Sequence, residues 1–308
     1  MHSKKYAIMT MKANKNWEHS LPDKKHDESI DWHAAFFDAI QQELIDYSNV
    51  LHFEREHQLN DEPLRIDVLV VRKQADAKID KNIAEIYRGH NLIEYKNPYD
   101  SMDIASFYKL YGYACFYLNL HDVPPHDITL TMVGTPKPRD LLKHLRKKRG
   151  YRVKEKYPGI YVAEGDIFPI QIIESKKLSA NENIWLKSLR DGLSIDGISK
   201  ILKIRKAPDN TKNIKAYLYA LVLANIGAVE EMKKMSKQSF LQMIKELDWV
   251  KELKQEGHEE GVDKGIDLSA DIILELVKHT PVDVIATKYN TSVQKIDRIR
   301  TAIKQIPA

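Results

Sequence analysis

From Asp31 to Tyr47 (DWHAAFFDAIQQELIDY), Phe36, Phe37, Ile40, Leu44 and Ile45 recur every three or four positions and predict a helix. Two short apolar runs follow, VLHFE and LRIDVLVV. They are separated by polar residues around Asn60–Pro63 and predict a β-hairpin. Lys78–Arg88 reads as a helical insertion, and NLIEYK as a third strand. Met102–Leu118 predicts a second long helix, with Ile104, Phe107, Tyr111, Ala114 and Leu118 on one side. DITLTMV, residues 127–133, is a fourth strand. A basic helix over Lys137–Arg149 comes next, then a hairpin in YRVKEKYPGIYVAE turning at Pro158-Gly159, and a further strand in FPIQIIES.

Helix, hairpin, strand, helix and strand in that order predict an α/β fold, a mixed sheet flanked by helices. From Asn181 the pattern turns helical in ENIWLKSLR, IDGISKILKI and KAYLYALVLANI, with Pro208-Asp209-Asn210 separating two of these helices. The chain therefore divides into a polar N-terminal arm (1–27), an α/β domain (28–178), a helical region (179–247), a charged segment (248–266) and a helical module (267–308). In the charged segment Gly257, Gly261 and Gly265 are four residues apart. This spacing fits either one face of a close-packed helix or a linker. The last module, PVDVIATKYNTSVQKIDRIRTAI, reads as helix, turn, helix, with Ser292 as N-cap. In it Val282, Ile285 and Ala286 are expected to pack on Val293, Ile296 and Ile299. As a helix-turn-helix it would present Gln294, Lys295 and Arg298 to DNA; a helical hairpin for oligomerisation is the alternative.

Of 308 residues, 43% are hydrophobic, as in an ordinary globular chain. No run of 18 apolar residues exists, and the N-terminus lacks the apolar core of a signal peptide, so no membrane span and a cytoplasmic location are expected. The single cysteine, Cys115, excludes an intrachain disulfide and a cysteine-based zinc finger. Net charge is only +4, but its distribution is uneven. Lys137, Arg139, Lys143, Arg146, Lys147, Lys148, Arg149, Arg152, Lys154 and Lys156 are opposed only by Asp140 and Glu155. Such an excess suits a polyphosphate partner through counterion release, with Lys143, Arg146, Lys147, Lys148 and Arg149 as the expected contacts. The plain alternative is a solvated helix face.

Candidate chemistry sits on the strands. Alternation puts Glu94 and Lys96 on one face of NLIEYK and Ile93 and Tyr95 on the other. Asp67 interrupts an apolar strand, pointing with Leu69 and Val71, and a buried carboxylate is tolerated when it is paired or binds a metal. Two neighbouring strands can bring Asp67, Glu94 and Lys96 together. Asp67 and Glu94 then form a ligand set for Mg²⁺ or Mn²⁺, and Lys96 a group that orients water or stabilises charge on a phosphate. Glu43, on the first helix, is a candidate further contact. A salt-bridge cluster on a solvated sheet face is the alternative.

A helix with Glu43, a hairpin strand with Asp67, a strand with Glu94-Tyr95-Lys96 and then a helix resembles the PD-(D/E)XK nuclease superfamily. RGHNLIEYKNP followed by an aromatic-rich helix is similar to its bacterial branch of recombination-promoting, transposase-like nucleases. The resemblance covers roughly residues 30–135. It implies a restriction-endonuclease-like fold and Mg²⁺-dependent DNA cleavage, with Asp67 and Glu94 as metal ligands, Lys96 as the catalytic lysine and Glu43 as the first-helix glutamate. Cutting both strands commonly takes two sites, so a homodimer is admitted. Two departures stand: Ile66 precedes Asp67 where the motif has proline, and the interval from Asp67 to Glu94 is long. The rival expectation is a non-catalytic DNA-binding or interaction protein that keeps the fold.

Overall fold

The computed structural model describes residues 30–54, 68–204, 214–235 and 262–304. The N-terminal arm, Asp67, the Pro208-Asp209-Asn210 break and residues 248–261 lie outside them. The chain runs through α1 (Trp32–Glu43), β1 (Leu51–Glu54), β2 (Val68–Lys73), β3 (His90–Tyr95), α2 (Ile104–His121), β4 (Ile128–Gly134) and α3 (Arg139–Lys147). It continues through β5 (Arg152–Tyr157), β6 (Ile160–Glu164), β7 (Ile170–Glu174), α4 (Ile184–Ser188), α5 (Ile195–Ile204), α6 (Lys215–Ala224) and α7 (Ile226–Met235). The tail carries α8 (Val262–Val277), α9 (Val282–Lys288) and α10 (Val293–Lys304).

The strands form one seven-stranded mixed sheet in the order β1-β2-β3-β4-β7-β6-β5. β1, β2 and β3 are antiparallel neighbours, whereas β4 is parallel to both β3 and β7. Parallel pairing requires a crossover, which α2 supplies between β3 and β4. Helices cover both faces, so β4 is buried along its whole length. The alternation of side chains creates two cores. Leu69, Val71, Ile93, Tyr95, Val133 and Ile173 face α1 and the C-terminal helices. Val70, Leu92, Leu130, Met132 and Ile172 face α2 and α3. The expected hairpin turns at Pro158-Gly159, where Gly159 has φ +78° and a Cβ would come within 2.6 Å of the Glu174 carbonyl oxygen. β5 is the outer strand, and its RVKEKY sequence carries the charges that discourage edge-to-edge pairing.

The expected helix over Lys78–Arg88 is absent: the segment holds one 3₁₀ turn, Asn82–Ala84. Side chains answer part of its backbone instead. Gln171 donates to the Ile83 carbonyl at 2.7 Å, and Asn91 donates to that of Arg88 at 2.8 Å. Both polar residues are fully buried on the α1 face, where Ile83 and Tyr87 cap them with apolar surface. With its polar groups answered from the sheet, the segment needs no helical ladder.

α1 is enclosed on nearly all sides. Its apolar residues meet the sheet, with Phe36 stacked on Tyr95 at 4.3 Å, and its polar residues Asp38, Gln41, Gln42 and Glu43 are buried too. The Asp38 carboxylate accepts from Tyr217 N at 3.1 Å, in the first turn of α6. One core therefore runs from α1 through α4, α6 and the tail helices, across residue 178. In the tail Ile285, Ala286, Ile296 and Ile299 pack as expected and Ser292 Oγ accepts from Lys295 N at 3.2 Å. Val293, expected in that packing, is instead 46% exposed, because it begins α10 on the outer side of the turn.

Candidate functional site

Glu94 lies near the end of β3, between β2 and β4, with Val68 and Met132 as its Cα partners. Its side chain is 2% exposed. Oε1 is 3.0 Å from the Lys96 ammonium, while Oε2 is buried with no hydrogen-bond partner among the described residues. Such an oxygen carries a desolvation cost that no described residue offsets, and a bound ion or water is one way to meet it. On the same face Leu92 and Met132 belong to the α2-side core with Met102.

Lys96 follows β3, and its backbone N–H donates to the Val133 carbonyl at 2.8 Å. This bond prolongs the β3–β4 ladder by one residue and holds the lysine beside the carboxyl end of β4. Its side chain is 21% exposed, so the Glu94–Lys96 pair reaches from the core to solvent. Asp103, the N-cap of α2, lies within electrostatic reach. Its carboxyl is held below the ordinary carboxylate range chiefly by hydrogen bonds from Ser106, with the Lys96 charge adding to the shift. Sequence reading passes over Asp103, although Asp three residues before Ser106 at a helix start is a capping signal.

Glu43 is not brought to this pair. It faces the opposite core, where Oε1 accepts from Trp185 N at 2.7 Å and Leu186 N at 3.1 Å, and Oε2 meets the Lys81 ammonium at 2.8 Å. Burial pushes its pKa up, and Lys81 with the two backbone donors only partly offsets that. Among the described residues no group of three or more His, Cys, Asp and Glu side chains converges to hold a metal. Asp67 lies outside the described residues. Alternation alone assigns position 67 to the face of Leu69 and Val71, opposite Glu94, so joining the two carboxylates requires that the alternation be interrupted ahead of β2.

The basic stretch divides. Arg152 pairs with Glu164 at 3.2 Å and Lys156 with Glu85 at 2.6 Å. Arg149 pairs with Asp166 at 3.1 Å and lies over the rings of Tyr111 and Tyr151. Tyr111 also donates to Asp166, at 3.1 Å. Arg146 donates to the Val153 carbonyl at 3.3 Å and remains exposed. Lys143, Lys147 and Lys148 are exposed, with no ion pair among the described residues. They belong to α3 and its C-cap, and α3 packs on the same side of the sheet as Glu94. Lys295 and Arg298, on α10, belong to the other side, since the buried residues of that helix join the α1-side core. The two sets of expected DNA contacts are therefore on different layers.

Comparison with protein-family models, with curated proteins and with solved structures returned no match. No helix among the described residues is long and apolar enough to cross a membrane.

Proposed function

We propose that this chain is a metal-dependent nuclease of the PD-(D/E)XK kind that hydrolyses DNA phosphodiester bonds, with Glu94 and Lys96 at its centre. The observation that carries the reading is the Glu94 carboxylate, buried in the sheet with one oxygen unpartnered among the described residues and a lysine two residues on at 3.0 Å. The element order supports it, since α1, the β1–β2 hairpin, β3 and then α2 follow the order that carries the resemblance. The exposed lysines of α3 support it as well, because they share the side of the sheet on which Glu94 sits.

One buried carboxylate oxygen fits a hard divalent cation, which takes oxygen donors and keeps several waters. Glu94 Oε2 supplies that oxygen, and Asp67 is the residue expected to supply the second. Held by Glu94 and Asp67, Mg²⁺ or Mn²⁺ would supply Lewis-acid chemistry, polarising the scissile phosphate and lowering the pKa of a water. The chain's own part is to fix the carboxylate by burial, to hold the Lys96 ammonium beside it, and to leave that ammonium open to the phosphate. Lys96 then steadies charge that develops on the phosphate oxygens and positions the attacking water.

Calorimetric titration with Mn²⁺ and plasmid nicking, each on wild type, Glu94→Gln and Asp67→Ala, test the proposal together. Weak Mn²⁺ binding lost in both variants, along with nicking, is the expected result. Equal Mn²⁺ binding by all three proteins would remove the site. The ion pair itself favours a second reading, in which Lys96 merely neutralises Glu94 and the fold binds DNA without cutting it. Salt-sensitive DNA binding with neither metal uptake nor nicking selects that reading.

A further inference from the structure

α9 and α10 are joined by residues 289–292, and the chain turns sharply there. Asn290 is left-handed, with φ +46°, a conformation that asparagine tolerates better than most residues with a side chain. It closes α9 with two reverse bonds: Thr291 N donates to the Ala286 carbonyl at 3.1 Å, and Asn290 N to that of Thr287 at 3.4 Å. Ser292 then caps α10. Ala286, the small buried residue of α9, shares one core with Ile285 and with Ile296 and Ile299 of α10. From α8, Glu275 braces the pair, through Lys288 and through the Thr280 hydroxyl at 2.8 Å. Two short helices set by a tight turn, with a third behind them, are the scaffold of a helix-turn-helix. Ile296 and Ile299 occupy one side of α10. The opposite side holds Val293, Gln294, Asp297, Arg298 and Thr301, spaced i, i+1, i+4, i+5 and i+8. Val293, Gln294, Arg298 and Thr301 are exposed, and Asp297, the one acid of α10, is paired with Arg300 at 2.7 Å. Lys295 is half-buried and falls outside this face. A helical seam between copies would require an apolar stripe here, and on this side of α10 only Val293 is apolar.

We propose that the α9–α10 module is a DNA-binding site separate from the site on β3, and that α10 reads duplex sequence in the major groove. Gln294 and Arg298 are one helical turn apart, about 5.4 Å along the axis. They therefore reach bases one or two steps of about 3.4 Å apart. The Gln294 amide has the paired donor and acceptor that match adenine N6 and N7, and Arg298 the fork of donors that matches guanine O6 and N7. Val293, in the first turn, supplies an apolar contact for a thymine methyl group. These are the groups that base edges require, whereas the α3 lysines offer charge alone. The module does not depend on the nuclease reading, because its core lies on the α1 side of the sheet and Glu94 on the α2 side.

Selection of binding sites from a pool of random duplexes, run on the full chain in EDTA so that nothing is cut, reads sequence preference directly. Fluorescence anisotropy on the selected duplex then measures the variants. The expected result is a preferred sequence. Arg298→Ala should bind it roughly tenfold more weakly and relax the preference at one base pair, with thermal unfolding unchanged. Gln294→Ala should do the same at a neighbouring base pair. Arg298→Lys keeps the charge and loses the fork, so it should lose that preference while holding most of the salt-dependent affinity. Replacing Arg146, Lys147 and Lys148 on the α3 side with alanine should weaken all duplexes alike and leave the preference in place. A pool that yields no preferred sequence overturns the proposal, as does a preference that Gln294→Ala and Arg298→Ala both leave intact. Variants that change the sedimentation of the chain and not its preference mark the module as a contact between copies, and overturn it too. Because no step requires cleavage, a wild-type chain that never nicks DNA removes the site on β3 and leaves this test standing.

Discussion

Glu43 and Glu94 have equally hidden side chains, each 2% exposed and each facing a lysine, yet the fold treats them differently. Glu43 has every oxygen engaged: two backbone N–H groups of α4 on one and Lys81 on the other. Glu94 has one oxygen engaged and one without a hydrogen-bond partner among the described residues. The first carboxylate is a joint between α1 and the C-terminal helices, and partners on both oxygens offset part of its burial. The second leaves its cost standing. A buried charge as such therefore says little about function, and the informative quantity is how completely its partners answer it.

The largest effect that tests this contrast is on activity. Lys96→Ala should slow plasmid nicking by about 10²–10⁴-fold, the usual worth of a positioned acid/base group, with the melting temperature little changed. Nicking rates and melts on one preparation decide the matter, since a variant that melts early but cuts at full rate per folded molecule takes Lys96 out of the mechanism. Next comes stability on the α1 side. Glu43→Ala strands two buried N–H groups and should cost about 3 kcal/mol in urea unfolding. If that variant unfolds at the wild-type midpoint, Glu43 is no joint.

Replacing Arg146, Lys147 and Lys148 with alanine should weaken DNA binding and flatten its salt dependence by about 2–3 in slope, because each phosphate contact contributes roughly 0.9. An unchanged slope would show this face to be merely solvated. A smaller effect of opposite sign is expected at Glu94. Glu94→Leu removes a buried charge that Lys96 answers on one oxygen and leaves Lys96 able to reach water, so it should raise stability by about 1 kcal/mol. Should it instead lose as much as Glu43→Ala, the two glutamates are alike and the contrast fails.

The smallest effect is in pH. Burial raises the Glu43 pKa above 4.5, so the native state holds that proton longer than the unfolded chain does. Stability from this group is thus present below pH 4.5 and declines as pH rises through its folded value. Glu43→Gln should remove that decline, and pH-dependent unfolding of the two proteins measures it.

The strands and α2 were legible because period-two and helical patterns survive within short windows. The shared face of Glu94 and Lys96 follows from the same alternation. Lys78–Arg88 was not legible, because carbonyls in it are answered by buried polar residues inside strands, Asn91 three residues past Arg88 and Gln171 88 residues past Ile83. Asp38, Gln41, Gln42 and Glu43 read as the wet side of an amphipathic helix. Only helices more than 130 residues further along bury them, and with that Glu43 leaves the site that the motif order assigned to it. For Asp67 the pattern within the strand and the motif order pull in opposite directions, and alternation groups it away from Glu94.

The reach of those α1 contacts bears on how the protein is made. Asp38 waits for Tyr217, 179 residues later, and Glu43 for Trp185, 142 residues later. While the ribosome is still adding β7, Asp38 and Glu43 lack these backbone donors, Glu43 has only its Lys81 contact, and the apolar flank of α1 beside them is uncovered. At ordinary elongation rates of about 5–20 residues per second the wait is on the order of ten seconds or more. A nascent chain halted after residue 178 should therefore be a good substrate for holdase chaperones and proteases, and the α/β domain expressed alone should be poorly soluble, although every one of its strands is present.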